Sequence, residues 1–174
     1  HGFDSTIHAT TEMMELHVAA VSRGAPEKFI VADMPFLSCS KGLKVAMDSV
    51  QRLMQAGAHA VKIEGASHQL PVITQIIEAG IPVMGHLGLT PQSIHNLGGH
   101  KVQGKDEAGV RKITADARAL EAVGCFSLVL ECVPNNLGEC ISRSLSIPTI
   151  GIGAGPGTNG QVLVLHDLIG INPD

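Results

Sequence analysis

Residues 53–65 read Leu-Met-Gln-Ala-Gly-Ala-His-Ala-Val-Lys-Ile-Glu-Gly, and this stretch predicts the repeating unit of the fold. Leu53 and Met54 close an amphipathic helical pattern, and Gly57 follows at the point where a left-handed residue ends a helix. The short apolar run after the glycine is typical of a buried parallel strand, because both faces of such a strand are covered. Glu64 follows that run, at the C-terminal end of the predicted strand.

The same order of helix, glycine and strand recurs along the chain. Ala79-Gly80 and Val123-Gly124 each end a helical pattern just before an apolar run, and three such junctions indicate a repeated β-α unit. The helices are predicted from apolar faces at Leu43, Met47, Val50, Leu53 and Met54 and at Ile113, Ala117 and Leu120. The predicted strands are Lys28–Met34, His59–Ile63, Ile81–Gly85, Phe126–Leu130, Ile147–Ile152 and Gln161–Leu165.

Alternation of this kind predicts an α/β protein, either an open doubly wound sheet or a closed barrel. The polar residues favour the barrel, since Asp33, Glu64, His86 and Glu131 stand at the C-terminal ends of four successive predicted strands. Barrels gather their active sites around that face, whereas an open sheet binds ligands at one switch point. No linker divides the chain, so residues 1–174 are predicted to form a single domain.

The composition limits the possible partners and the compartment. The chain has 174 residues, 44% of them hydrophobic, and a net charge of -4, which argues against a nucleic-acid partner. No apolar run is long enough to span a bilayer and no secretory pattern opens the chain, so neither a membrane nor export is expected. The four cysteines form no C-x-x-C pair, which favours free thiols in a cytoplasmic protein.

Lys62 and Glu64 are two residues apart, so on a strand both side chains point to one face. If that face is the barrel interior, they form an anion-and-metal site or a structural ion pair. Asp33 ends the neighbouring strand and is a site residue, a helix N-cap or one partner of a salt bridge. Two carboxylates at neighbouring strand ends suit Mg²⁺, which usually keeps several waters.

Glu131 ends an apolar run and is either a general base or a satisfied core carboxylate. His86 begins a strand-to-loop segment and could donate to a ligand, although a lone histidine is more often structural. The glycine-rich run 150–157 suggests close backbone approach to a ligand, but Pro156 interrupts any dinucleotide motif.

Taken together, these segments resemble the ketopantoate hydroxymethyltransferase family. The matching runs follow the family's order and cover nearly the whole chain; they are Asp4-Ser5-Thr6, Arg23-Gly24-Ala25-Pro26, Ala32-Asp33-Met34-Pro35-Phe36, Val61-Lys62-Ile63-Glu64-Gly65, 85–93 (Gly-His-Leu-Gly-Leu-Thr-Pro-Gln-Ser), Lys101-Val102-Gln103-Gly104, Leu130-Glu131-Cys132-Val133-Pro134 and 150–155 (Ile-Gly-Ile-Gly-Ala-Gly).

The resemblance implies a (β/α)8 TIM-type barrel of the phosphoenolpyruvate/pyruvate-like class and a cytoplasmic homo-oligomer, a decamer in the family. It implies hydroxymethyl transfer from 5,10-methylenetetrahydrofolate to 3-methyl-2-oxobutanoate, giving 2-dehydropantoate in pantothenate biosynthesis through a Mg²⁺-stabilised enolate. Asp33 and Glu64 would bind the metal, and Asp33, Lys62 and His86 the substrate. Glu131 would be the proton acceptor, acting on the keto acid or at the folate.

Three departures from the family pattern bear on these expectations. The first two strands and the C-terminal helices are expected to be missing, which leaves about strands 3 to 8 and removes a V-G-D-S motif that carries a further metal ligand. Asp4 matches a later D-S-T turn and not that ligand. Asn159 stands where the family usually has Asp, which puts a charge-dependent role at that position in doubt.

Three alternatives remain open at this point. A related metal-dependent keto-acid lyase would share the barrel, but the V-K-I-E-G and G-H-L-G-L-T-P-Q-S runs argue against it. A catalytically incomplete barrel that acts as a binding or assembly module is supported by the missing Asp-Ser motif. A flavin-type phosphate barrel is the most distant of the three.

Overall fold

The computed structural model describes residues 2–3 and 5–171, and Asp4 therefore lies outside the described residues. Its strands all belong to one parallel sheet with the order β1-β2-β3-β4-β5-β6. The strands are β1 Val31–Asp33, β2 Ala60–Glu64, β3 Val83–Gly88, β4 Ser127–Glu131, β5 Thr149–Ile152 and β6 Gly160–Gln161.

Helices connect the strands from β1 to β5 in the expected β-α alternation, whereas residues 153–159 join β5 to β6 without a helix. The helices are α1 Thr11–Gly24, α2 Leu43–Gln55, α3 Leu70–Glu78, α4 Ile94–Leu97, α5 Glu107–Ala122, α6 Asn135–Ser144 and α7 Leu165–Leu168. Short 3-10 turns lie at Thr6–His8, Ser67–Gln69 and Pro91–Ser93. None of the helices within the described ranges has both the length and the apolar character that crossing a membrane requires.

The strand order separates the two predicted architectures. A doubly wound sheet reverses its strand order at a switch point, whereas here each strand pairs with the next one along the chain. Repeated parallel steps in one direction build the wall of a barrel. The described strands therefore form an arc of a barrel, in which β1 and β6 are the edges.

The core lies between the outer face of this arc and the helices. Ile63, Leu128 and Leu130 face the helices and are fully buried, as is Leu120 of α5. The predicted face of α5 is confirmed, since Ile113, Ala117 and Leu120 are its buried residues. The predicted face of α2 is partly wrong because Leu43 is exposed, and the helix instead buries a stripe at Ala46, Ser49, Val50 and Leu53.

The glycine junctions are confirmed as left-handed turns between helix and strand. Gly57, Gly80 and Gly124 have φ angles of 112°, 88° and 99°. At Gly57 the close approach of α1 adds a second requirement, because a Cβ there would clash with the hydroxyl of Ser22.

All six predicted strands differ in their bounds from the observed ones, as at Lys28–Met34, of which only Val31–Asp33 is strand, and two further differences matter most for the site and the sheet edge. Strand β3 runs to Gly88 instead of Gly85, so His86 lies inside the strand and not at its end. The run Gln161–Leu165 is strand only at Gln161, and Leu165 begins α7. Strand β6 is the edge of the arc. Its last hydrogen bond to β5 runs from the N–H of Val162 to the carbonyl of Gly151. After it, no further strand-to-strand hydrogen bonds among the described residues keep the chain extended.

Candidate active site

The concave face of the arc forms a groove of about 580 Å³. All the sequence-predicted site residues line it, and they come from four consecutive strands. The predicted alternation on β2 is confirmed, because both Lys62 and Glu64 face this groove. The residues brought together are Asp33, Lys62, Glu64, His86 and Glu131.

Strand register places these side chains side by side. Asp33 pairs with Lys62 across β1 and β2, and Glu64 pairs with His86 across β2 and β3. Glu131 is paired with Gly88, two residues beyond His86, so its side chain stands next to the imidazole. Asp33 and Lys62 are therefore level with each other, Glu64 and His86 lie two residues further along, and Glu131 lies two residues beyond them.

Lys62 lies at the centre of the polar contacts. Its Nζ is 3.2 Å from Oδ1 of Asp33 and 3.2 Å from Nδ1 of His86. The Lys62 side chain is largely buried, whereas that of Asp33 is half exposed at the mouth of the groove. Asp33 and His86 therefore hold the ammonium group from two sides. Its third N–H donor is directed to neither of them.

The tautomer of His86 follows from these contacts. An ammonium group can only donate, so Nδ1 is the acceptor from Lys62 and Nε2 carries the proton. Nε2 lies 3.1 Å from Oε2 of Glu131 but off the direction of a hydrogen bond, so this buried nitrogen has no hydrogen-bond partner among the described residues. A small shift of Glu131 would complete the bond.

Glu64 is the more buried of the two candidate metal ligands. Its side chain is only 10% exposed, and its Oε2 accepts a hydrogen bond of 2.9 Å from the backbone N–H of Gln92. Burial raises the pKa of Glu64 above its usual value, and this effect outweighs the opposing influences of His86, Lys62 and the Gln92 N–H.

The raised pKa of Glu64 makes its charge a pH-dependent cost to folding. Below its ordinary pKa of 4.5 the side chain is protonated in both states and no penalty acts. As pH rises through the higher pKa of the folded state, the penalty becomes complete. Without divalent cations, Glu64→Gln is therefore expected to gain stability relative to the wild type as pH rises above the ordinary glutamate pKa, by about 1.4 kcal/mol per unit of pKa shift, until the folded-state carboxyl is ionised.

Urea unfolding at a series of pH values measures this difference. Glu27→Gln is the matched control, because Glu27 is exposed to solvent at the surface and is not desolvated by folding. A stability difference between Glu64→Gln and wild type that stays constant with pH would contradict the buried-charge account.

The donor set fits a weakly held magnesium ion better than a closed metal centre. Among the described residues, no group of three histidine, cysteine or acidic side chains is placed to hold a metal. Asp33 and Glu64 provide carboxylate oxygens on neighbouring strands, and Oε1 of Glu64 is not taken by the Gln92 bond. Mg²⁺ is commonly bound by one or two carboxylates and completes its shell with water and substrate oxygens.

The sequence patterns did not predict Gln92, which joins the two carboxylate-bearing strand ends. Its backbone N–H binds Glu64, and its side-chain Nε2 donates a 2.8 Å hydrogen bond to the carbonyl of Met34, directly after Asp33.

The apolar floor of the groove was also not predicted. Alternation along the strands was an available signal, because residues two apart on a strand face the same side as the polar site residues. The floor consists of Met84, Val129, Ile150 and Ile152.

Gln92→Ala is expected to weaken Mg²⁺ binding about tenfold, because loss of the side-chain bond frees the end of β1 to move relative to Glu64. Isothermal titration with MgCl₂ measures the change. Gln69→Ala is the control, since the Gln69 amide donates only a long 3.4 Å bond to Ser40. Equal Mg²⁺ affinity in the Gln92 variant and the wild type would refute the positioning role.

The chain turns sharply after Glu131. Cys132 has a φ of 47°, which is uncommon for a residue with a side chain, and its N–H is held by the carbonyl of Ile152. The carbonyl of Glu131 accepts a 2.8 Å bond from the N–H of Leu89. Burial, with the charge of Glu131, raises the pKa of Cys132, which argues against a reactive thiolate there.

The glycine-rich run and Asn159 serve the packing of the chain itself. A Cβ on Gly155 or Gly157 would meet Asn135 or Glu139 of α6, so these glycines accommodate a helix instead of a ligand. Oδ1 of Asn159 accepts hydrogen bonds from both the N–H and the hydroxyl of Thr149. The amide thus performs an acceptor role that needs no charge.

Comparisons with known proteins found a matching family model, similar sequences and similar structures. A family model described as ketopantoate hydroxymethyltransferase matches residues 1–174. A 3-methyl-2-oxobutanoate hydroxymethyltransferase from Coxiella burnetii is 60% identical over 173 residues, and one from Legionella pneumophila is 55% identical over 172 residues. These alignments include 99% and 98% of this chain, which spans only 65% and 66% of the two relatives' lengths.

Among solved structures, phosphonopyruvate hydrolase in complex with oxalate and Mg²⁺ superposes with a TM-score of 0.69 at 11% identity, covering 95% of this chain and 64% of that chain. Deoxyribose phosphate aldolase from Aeropyrum pernix superposes with a TM-score of 0.53 at 11% identity, covering 84% and 72% of the two chains. At such low identity these likenesses concern the fold alone.

Proposed function

The chain belongs to the ketopantoate hydroxymethyltransferase family, and we propose that its groove adds a hydroxymethyl group to 3-methyl-2-oxobutanoate. The donor is 5,10-methylenetetrahydrofolate and the product is 2-dehydropantoate. One observation carries the proposal: Asp33, Lys62, His86 and Glu131 form a continuous line of polar contacts across the groove.

The keto acid fits the two halves of this groove. Its carboxylate lies against the Lys62 ammonium group, which is already fixed by Asp33 and His86. Its branched carbon lies on the apolar floor, between Met84 and Val129. Asp33 and Glu64 would hold Mg²⁺ beside the keto oxygen, and the bound ion would supply positive charge where negative charge develops.

Glu131 accepts the proton from C3 of the keto acid. Its carboxylate lines the groove together with Val129 and Ile152, which supply apolar surface for the reacting carbon. The His86 imidazole lies beside this carboxylate with its other ring nitrogen fixed by Lys62, and a small shift of Glu131 would bring the carboxylate into a hydrogen bond with the Nε2–H. The deprotonated carbon then forms a C–C bond to the methylene carbon of the donor as one of that carbon's two C–N bonds breaks. Water replaces the second C–N bond and supplies the hydroxyl oxygen. The two donor nitrogens take up one proton from C3 and one from that water, which leaves 2-dehydropantoate and tetrahydrofolate.

Proton exchange tests the first half of this reaction without the folate. We expect the C3 proton signal of 3-methyl-2-oxobutanoate in D₂O to disappear with the protein and MgCl₂, to persist with EDTA, and to disappear again when excess Mg²⁺ is added. A folded protein that gives no exchange at saturating Mg²⁺ would refute the proposed chemistry for this chain.

A second candidate role is assembly through the exposed apolar end of the chain. Several large side chains between Val162 and Ile171 are about half exposed or more, and β6 is an open edge of the sheet. Surfaces of this kind favour pairing with another chain. The proposed state is a cytoplasmic homo-oligomer, and sedimentation velocity would detect it as a species well above 18.1 kDa.

A further inference from the structure

We infer that a side trench of the groove binds the acidic tail of the folate donor. The inference rests on the proposed function and deepens it by assigning residues to a part of the donor that takes no part in bond formation. The trench consists of two adjoining cavities of about 210 Å³ and about 500 Å³. Its lining residues are Phe3, Ser5, Thr6, Ile7, His8, Pro91, Ile94, His95, Gly98, Gly99 and His100.

The trench adjoins the active-site groove. The smaller cavity shares Thr6 and Pro91 with the groove. The larger cavity shares Ser5, Ile94 and His100 with the smaller one. In the inferred pose, a ligand with one end at Glu131 leaves the groove over Thr6 and extends past His100.

The chemistry of the trench changes along its length. The end next to the groove presents apolar surface, including Phe3 and Pro91, and the far end presents the imidazoles of His8, His95 and His100. Lys101 adds an ammonium group at this end, where its Nζ is 3.2 Å from the place a Cβ on Gly98 would take. No carboxylate is among the described lining residues.

The loop that carries these donors is held in place relative to the proposed base. The N–H of Gln103 donates a 2.8 Å hydrogen bond to the carbonyl of Cys132, the residue after Glu131. Gly104 packs so closely on Leu137 that a Cβ would lie 2.6 Å from that side chain. The run 101–104 is one of the family-like motifs, and no reaction step uses it.

The donor has matching chemistry. Its reactive ring system must lie in the groove near C3 of the keto acid, and the rest of the molecule is an aryl group followed by glutamate carboxylates. An aryl group suits the apolar stretch at Phe3, Pro91 and Ile94. Imidazole and ammonium donors suit carboxylates, with which they form charge-assisted hydrogen bonds.

Isothermal titration tests the inference with two probes, tetrahydrofolate and the tail-less 6-methyltetrahydropterin. The wild type is expected to bind tetrahydrofolate at least about tenfold more tightly than the pterin, because a hydrogen bond to a charged group typically contributes enough for such a factor. The variant His95→Gln/His100→Gln should lose this advantage and bind the pterin like the wild type. The control His166→Gln, on the exposed helix α7, should bind both probes like the wild type.

Two results overturn the inference: equal wild-type affinity for the two probes, or wild-type tetrahydrofolate affinity in the folded double variant. The first comparison needs no variant and stands even if the double variant does not fold. Failure of the proposed function gives a different result: the wild type still binds tetrahydrofolate but does not exchange the C3 proton of the keto acid. Exchange without any tetrahydrofolate binding overturns the inference alone.

Discussion

Glu131→Gln is expected to slow Mg²⁺-dependent exchange of the C3 proton by about 10²- to 10⁴-fold, the usual contribution of a general base. The amide keeps the shape of the side chain and can still face the Nε2–H of His86 through its oxygen, so the fold and the groove should persist. It has no basic site for the proton. The loss should therefore fall on the rate and leave the affinity for the keto acid nearly unchanged.

Single-turnover exchange at saturating keto acid and Mg²⁺ measures the effect, and the concentration dependence gives the affinity. Glu107→Gln is the matched control, because Glu107 is 89% exposed and pairs with Arg111 on the same helix, away from the groove. Wild-type exchange in the Glu131 variant would show that another group takes the proton.

Gly88→Ala is expected to destabilise the fold by about 3 kcal/mol or more and to abolish exchange. Gly88 has a φ of 90°, which costs a residue with a side chain about 1–3 kcal/mol. In addition, a Cβ there would overlap the carbonyl oxygen of Glu131. The backbone of β4 would have to move, and the proposed base would move with it.

Gly80→Ala separates the two contributions. Gly80 has a φ of 88°, but a Cβ added there would have no heavy atom within 4 Å, so only the conformational cost applies. Urea unfolding should place Gly80→Ala between the wild type and Gly88→Ala, with exchange retained in the Gly80 variant. Equal unfolding midpoints for the two variants would show that the contact with Glu131 contributes nothing.

Local rules predicted the parts of the site that depend on a single strand. The spacing of Lys62 and Glu64 fixes their common face, because side chains alternate along any strand. The contacts of Gln92 could not be predicted from the sequence, because they join a loop after β3 to the ends of β1 and β2. Such a contact depends on how strands are placed beside one another, which one-dimensional spacing does not contain.

The wrong prediction for the last strand has a different cause. Val162, Leu163 and Val164 form an apolar run with two β-branched residues, which is typical of a buried strand. A strand persists only where a neighbour supplies hydrogen bonds, and at the edge of the arc the ladder ends at Gln161. The same residue types on an inner strand would have made the prediction correct, so position in the sheet decided the outcome.

The polar line across the groove takes its members from four consecutive strands, Asp33 from β1, Lys62 from β2, His86 from β3 and Glu131 from β4. No single β-α unit holds enough of it to act alone. Local opening of any of these units would remove a charged or proton-bearing group from its neighbours, so the working site lasts no longer than the unit that opens most readily. The rate of amide hydrogen exchange measured in that unit would then give an upper limit for how long the working site stays assembled.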